Sequence, residues 1–127
     1  SVSVNITTDT TQKIGRNGEA AAARFLEQRG YAIVATNWRN GRDGEIDLIA
    51  TIDDLIVFVE VKTRRRIGAD GALEAVSPLK LARMQRVALA WLAHAGELSA
   101  RYRFDVIGVH VAPGLGPAFA WLQDVAQ

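Results

Sequence analysis

The stretch GEIDLIATIDDLIVFVEVKTRRR, Gly44 to Arg66, decides how this chain folds. Two apolar runs, Glu45 to Ala50 and Leu55 to Thr63, bracket TIDD, which is too short for a crossover and so predicts an antiparallel hairpin. Side chains alternate along a strand. Ile56, Phe58, Glu60 and Lys62 therefore share one face of the second run, and Val57, Val59, Val61 and Thr63 share the other. A turn centred between Asp53 and Asp54 pairs Asp47 with Glu60 and Glu45 with Lys62, although Asp-Asp is not a favoured two-residue turn and a bulge would shift the register. A hairpin with no task beyond folding would do as well with Val, Ile or Thr at those positions.

Cβ atoms opposed across an antiparallel pair stand roughly 5 Å apart, and two carboxylates can be held at about that separation. At an effective dielectric of about 20 they repel by about 3 kcal/mol, so either one is protonated or a cation lies between them. An all-oxygen set with neither Cys nor a nearby His suits a hard ion, Mg²⁺ or Mn²⁺, better than zinc. Lys62 beside them suits an incoming phosphate or a water to be oriented. The set matches what metal-dependent phosphodiester hydrolysis needs: an ion against the phosphoryl oxygens, carboxylates for ion and water, and a cation for developing negative charge. The simpler reading is a half-exposed strand whose Glu60 and Lys62 pair with neighbouring charges. A third carboxylate bears on the choice. Glu19 lies on a helical stripe with Ala22, Ala23 and Leu26, so it falls on the packed side and needs a partner.

Outward from the hairpin, IGRNGEAAAARFLEQRGY predicts a helix from Asn17 or Gly18 to Gln28 or Arg29, capped by Asn17 and ended by Gly30. YAIVATNW predicts a strand with Tyr31, Ile33 and Ala35 on one face. The segment RRRIGADGALEAV has no sustained period and predicts a basic loop. Ser77 and Pro78 cap and start a helix reaching Ala95 and stopping near Gly96, with Leu81, Met84, Ala88, Trp91, Leu92 and Ala95 on its packed stripe. RYRFDVIGVHV and AFAWLQDV predict two further strands, the last at a sheet edge. The order αβββαββ implies an α/β fold, a mixed central sheet with helices on its faces.

Composition excludes some chemistry. In 127 residues, 49% apolar and 23% charged, with a net charge of +1 and no cysteine, a single domain is expected over residues 13–127 behind a disordered polar tail at 1–12. Thiolate nucleophiles, disulfides and cysteine-ligated metals are ruled out, which fits a cytoplasmic protein. No apolar run reaches the roughly 18 residues of a membrane span, so no membrane partner is expected. His94 and His110 have no ligand spacing. Arg64, Arg65 and Arg66, with Arg39, Arg42, Lys80 and Arg83, make a candidate phosphate-tracking surface, and Trp38 a candidate stacking platform or a strand-end core residue. Arg103 and Asp105 alternate on one strand face, as an ion pair or an outer layer of the pocket.

The blocks GRNGEAAAARFLEQRGYAIVATNWR, GEIDLIA, VFVEVKTR, LEAVSPLK and RFDVIGV resemble, in order and length, the YraN-like family of bacterial proteins from Gly15 to Val111, departing from it between Arg65 and Leu73. That family is similar to the PD-(D/E)xK nuclease superfamily and, in core arrangement, to archaeal Holliday junction resolvases. The resemblance implies a restriction-endonuclease-like core, with the metal carried by Glu19, Asp47 and Glu60 and the catalytic set completed by Lys62. It further implies an endonuclease acting on DNA, branched or structured DNA included, and working as a homodimer. A non-catalytic nucleic-acid-binding or scaffold module on the same fold is the alternative, and RNA would suit the same pocket.

Overall fold

The computed structural model describes residues 11–64, 76–111 and 113–126, with side chains from Gly18 onward in the first helix. In chain order they form helix α1 (Thr11–Glu27), strand β1 (Ala32–Arg39), a short 3-10 turn (Gly41–Asp43), β2 (Glu45–Ile52), β3 (Leu55–Arg64), α2 (Pro78–Ala95), β4 (Arg101–His110) and β5 (Ala118–Leu122). The strands make one sheet in the order β1-β2-β3-β4-β5. All neighbours are antiparallel except β3 and β4, which run parallel. A parallel neighbour needs a long return path, and the stretch containing α2 supplies it. This is the αβββαββ topology of restriction-endonuclease-like cores.

Each face of the sheet buries its own core against one helix. On the α1 side Ala21, Ala22 and Leu26 pack with Leu48, Ala50, Val57, Val59, Ile107 and Val109. On the α2 side Met84, Val87, Ala88 and Leu92 pack with Ile46, Ile49, Ile56, Phe58 and Phe104. The alternation in β3 thus feeds two cores at once, as a strand covered on both faces must. Both ends of α2 follow local chemistry. Ser77 Oγ accepts the N–H of Lys80 at 3.1 Å, Pro78 occupies the first turn, and Gly96 closes the helix at φ +72°, where a side chain would be strained. The packed stripe of α2 gains Val87, while Ala95 at its end is exposed.

Three expectations need correction. Helix α1 starts at Thr11, so Asn17 is an interior residue and not a cap; Gln12, Lys13 and Arg16 are good helix formers, and Gly15 weakens a helix without ending it. The expected polar tail lies outside the described residues up to residue 10, and Thr11 and Gln12 open the helix. In β1 the pairing with β2 shifts between Ile33 and Ala35, and this irregularity turns Ile33 toward the α1 core and Ala35 toward the α2 core.

Arg103 and Asp105 form an ion pair, with Nε to Oδ1 at 3.0 Å, inside a larger network. Asp105 is fully buried and also accepts from Trp121 Nε1 at 2.9 Å and from the backbone N–H of Asp124 at 2.9 Å, while Arg103 donates to the Tyr31 hydroxyl at 3.0 Å. The network fastens the chain around β5 to β4 and β1, and is a structural latch. Trp38 packs against the α2 core and lies 5.9 Å from the His94 ring, which accounts for it as a strand-end core residue.

Candidate active site

The hairpin register is the expected one through five pairs, from Ile52↔Leu55 at the turn to Leu48↔Val59. There the ladder stops. Asp47 and Glu60 are not a backbone pair, and neither are Glu45 and Lys62. At this point the Asp47 side chain turns onto β3, its Oδ2 accepting the N–H of Val61 at 2.7 Å. Beyond this point the two strands are held by their other neighbours. Ile46 and Glu45 pair with Trp38 and Arg39 of β1, whereas Glu60 to Arg64 pair with Val106 to His110 of β4.

Charged groups enter this fork from both faces. Glu60, on the side of Phe58 and the α2 core, has Oε1 3.4 Å from Lys80 Nζ at the start of α2. Glu19 comes from α1, half-buried, and accepts from Asn37 Nδ2 at 2.8 Å, where the β1 backbone takes φ +48°. Glu45 lies 3.8 Å from Arg39 across the β1–β2 pair. Asp47, at 8% exposure, sits among them with one amide as its hydrogen-bond partner. Burial first, and then the neighbouring Glu60, push its carboxyl up to about 7 from the ordinary 3.8; the Val61 N–H opposes the shift, and Glu19 and Glu45 add to it.

Glu19 reaches the fork because of the residue before it. A Cβ on Gly18 would overlap the Thr63 side chain, so only glycine lets α1 lie this close to the end of β3. The sequence pattern puts Gly18 at a helix boundary and does not reveal this contact. It also missed Asn37 as a partner of Glu19, and the Val61 N–H; an unusual glycine beside an acid on an alanine-rich helix was the one available signal.

The remaining residues of interest divide. Lys62 is half-buried and follows Glu60 on the same strand face. Arg42, Arg64 and Arg83 are exposed, Arg39 and Lys80 are engaged with Glu45 and Glu60, and Arg65 and Arg66 lie outside the described residues. The expected three-carboxylate cage is not formed: among the described residues no three His, Asp or Glu side chains stand at metal-binding spacing. The donor chemistry nevertheless suits a hard ion, since Mg²⁺ commonly takes only one or two carboxylates and fills its sphere with water and phosphate oxygens. Among the described residues no helix is long and apolar enough to cross a membrane.

The chain belongs to the family described as Uncharacterised protein family UPF0102, whose model matches residues 18–109. It is 43% identical over 111 residues to a UPF0102 protein of Rhodococcus jostii, covering 87% of this chain and 93% of that one. A UPF0102 protein of Nocardia farcinica is 46% identical over 114 residues, covering 90% and 89%. One from Kineococcus radiotolerans is 48% identical over 106 residues, covering 83% and 85%. The matched span includes Gly18, Glu19, Asp47, Glu60 and Lys62. These names carry no reaction, so the chemistry has to be argued from the site.

Proposed function

We propose that this member of the UPF0102 family is a divalent-metal-dependent endonuclease that hydrolyses phosphodiester bonds in DNA, branched and structured DNA included, within the PD-(D/E)xK group to which archaeal Holliday junction resolvases belong. The observation that carries the reading is the placement of Asp47: a buried carboxyl, raised to about 7 by burial and Glu60, at a fork where carboxylates arrive from both faces of the sheet. An acid kept at that electrostatic disadvantage is relieved by a cation, and a fold serves no structural need by crowding it.

In this reading Asp47 and Glu60 would hold Mg²⁺ or Mn²⁺, with Glu19 as a further nearby carboxylate, and the bound ion would neutralise phosphoryl oxygens and make a water more acidic. Lys62 stands next along the face that carries Glu60 and contributes charge toward the developing oxyanion. Arg42, Arg64 and Arg83, all exposed, would track the phosphate backbone together with Arg65 and Arg66. A homodimer would supply one such fork to each strand of a duplex.

A cleavage panel tests this: duplex, flap, four-way junction and single-stranded DNA, with RNA alongside, in Mg²⁺ and in Mn²⁺. Lys62→Ala is expected to abolish cutting; equal cutting by the variant would assign the activity to a contaminant. The second reading is a binding or scaffold module on the same fold without turnover. Calorimetry separates the two, because a module of that kind has no Mn²⁺ site for Asp47→Ala to remove.

A further inference from the structure

Lys80 is held in a place its own helix disfavours. It is the third residue of α2, where the N-terminal end of the helix dipole opposes a cation, and the first turn of α2 carries no acidic residue to offset it. What Lys80 meets is Glu60, at 3.4 Å, with the carboxylate side chain 14% exposed and the lysine 45%. The helix start is itself pinned by Ser77 Oγ on the Lys80 N–H at 3.1 Å, so the ammonium group is anchored at its root and aimed at the fork. Glu60 is thus neutralised from the α2 side, while Asp47 has no cation partner among the described residues.

Resting on the metal-dependent reading above, we propose that Lys80 is a built-in counter-ion of Glu60 that competes with the divalent cation for that carboxylate. The ammonium group covers Glu60 when the ion is absent, and ion binding displaces it. Lys80 is then a positioning residue that sets the ion concentration at which the site fills, distinct from the arginines that only track phosphate.

The test is Mn²⁺ calorimetry on the full chain without nucleic acid, comparing wild type with Lys80→Met, Lys80→Gln, Lys80→Arg, Arg83→Met and Asp47→Ala. The two neutral variants at Lys80 are expected to bind Mn²⁺ about two- to five-fold more tightly, as fits removal of a partly exposed ion pair. Lys80→Arg stays near wild type. Arg83→Met removes the same charge from the same helix without touching Glu60 and moves the affinity less. If both neutral variants bind equally or more weakly, or if Arg83→Met tightens binding as much, the competition is refuted while an Asp47-dependent metal site stands. Absence of Mn²⁺ binding by wild type overturns the metal reading and this inference together.

Discussion

Asp47 Oδ2 accepts the N–H of Val61 at 2.7 Å, just past the last residue pair of the ladder between the two central strands. That bond favours the charged form of a carboxyl otherwise raised by burial and by its negative neighbours. Its energetic sign follows. A carboxyl whose folded pKa is about 7 against 3.8 unfolded binds more protons in the fold, so its contribution to stability is intact below pH 3.8 and is lost as pH climbs through 7.

Asp47→Asn keeps an acceptor for Val61 and removes the titration. Its stability advantage over wild type is expected to grow by about 2 to 3 kcal/mol between pH 5 and pH 8 in metal-free buffer. Urea unfolding at the two pH values measures it, and a constant difference would contradict the burial argument.

Gly18→Ala gains up to about 1 kcal/mol of helix propensity but drives a methyl group into Thr63, an overpacking cost of about 1 to 3 kcal/mol. The expected net effect is a lower melting temperature. Thr63→Ala in the same chain should recover part of it, since the hydroxyl is the atom a Cβ at position 18 meets first. Simple additivity of the two substitutions in thermal melts would show that the helix and strand do not meet as described.

Asp105→Ala leaves the Arg103 guanidinium, the Trp121 indole and the Asp124 amide without their shared acceptor. A loss of about 3 to 5 kcal/mol is expected, with a change in tryptophan emission. Below its melting point this variant should retain the Mn²⁺ affinity of wild type, because the latch and the fork are separate clusters. Loss of both together would make Asp105 part of the site.

Ser77→Ala removes the acceptor for the Lys80 N–H and is expected to cost about 1 kcal/mol in chemical denaturation. A smaller loss than for an ordinary helix cap would mean that the Glu60 contact alone fixes the start of α2.

Features set by neighbours in the chain are legible in the sequence itself. Ser77, Pro78 and Gly96 bound α2 through their own capping chemistry, and TIDD allowed only a hairpin. Asp47 and Glu60 stood out because an apolar strand has no use for them. The rest depends on contacts between distant segments. The register change after Ile33, the fit of Gly18 on Thr63 and the turning of Asp47 onto Val61 arise only when the sheet is covered by its helices. For the same reason the sequence offers Lys80 as part of a phosphate-tracking surface, and its contact with Glu60 emerges only with the helix in place on the sheet.

The fork also divides the sheet mechanically. Up to Leu48↔Val59 the β1–β2 ribbon and the β3–β4–β5 ribbon are stitched by five residue pairs, and beyond it, among the described residues, Asp47 clasps the Val61 N–H. Separation of the ribbons at this point would break the Val61 N–H hydrogen bond, which makes exchange of that one amide a local gauge of how firmly the two halves of the sheet are joined.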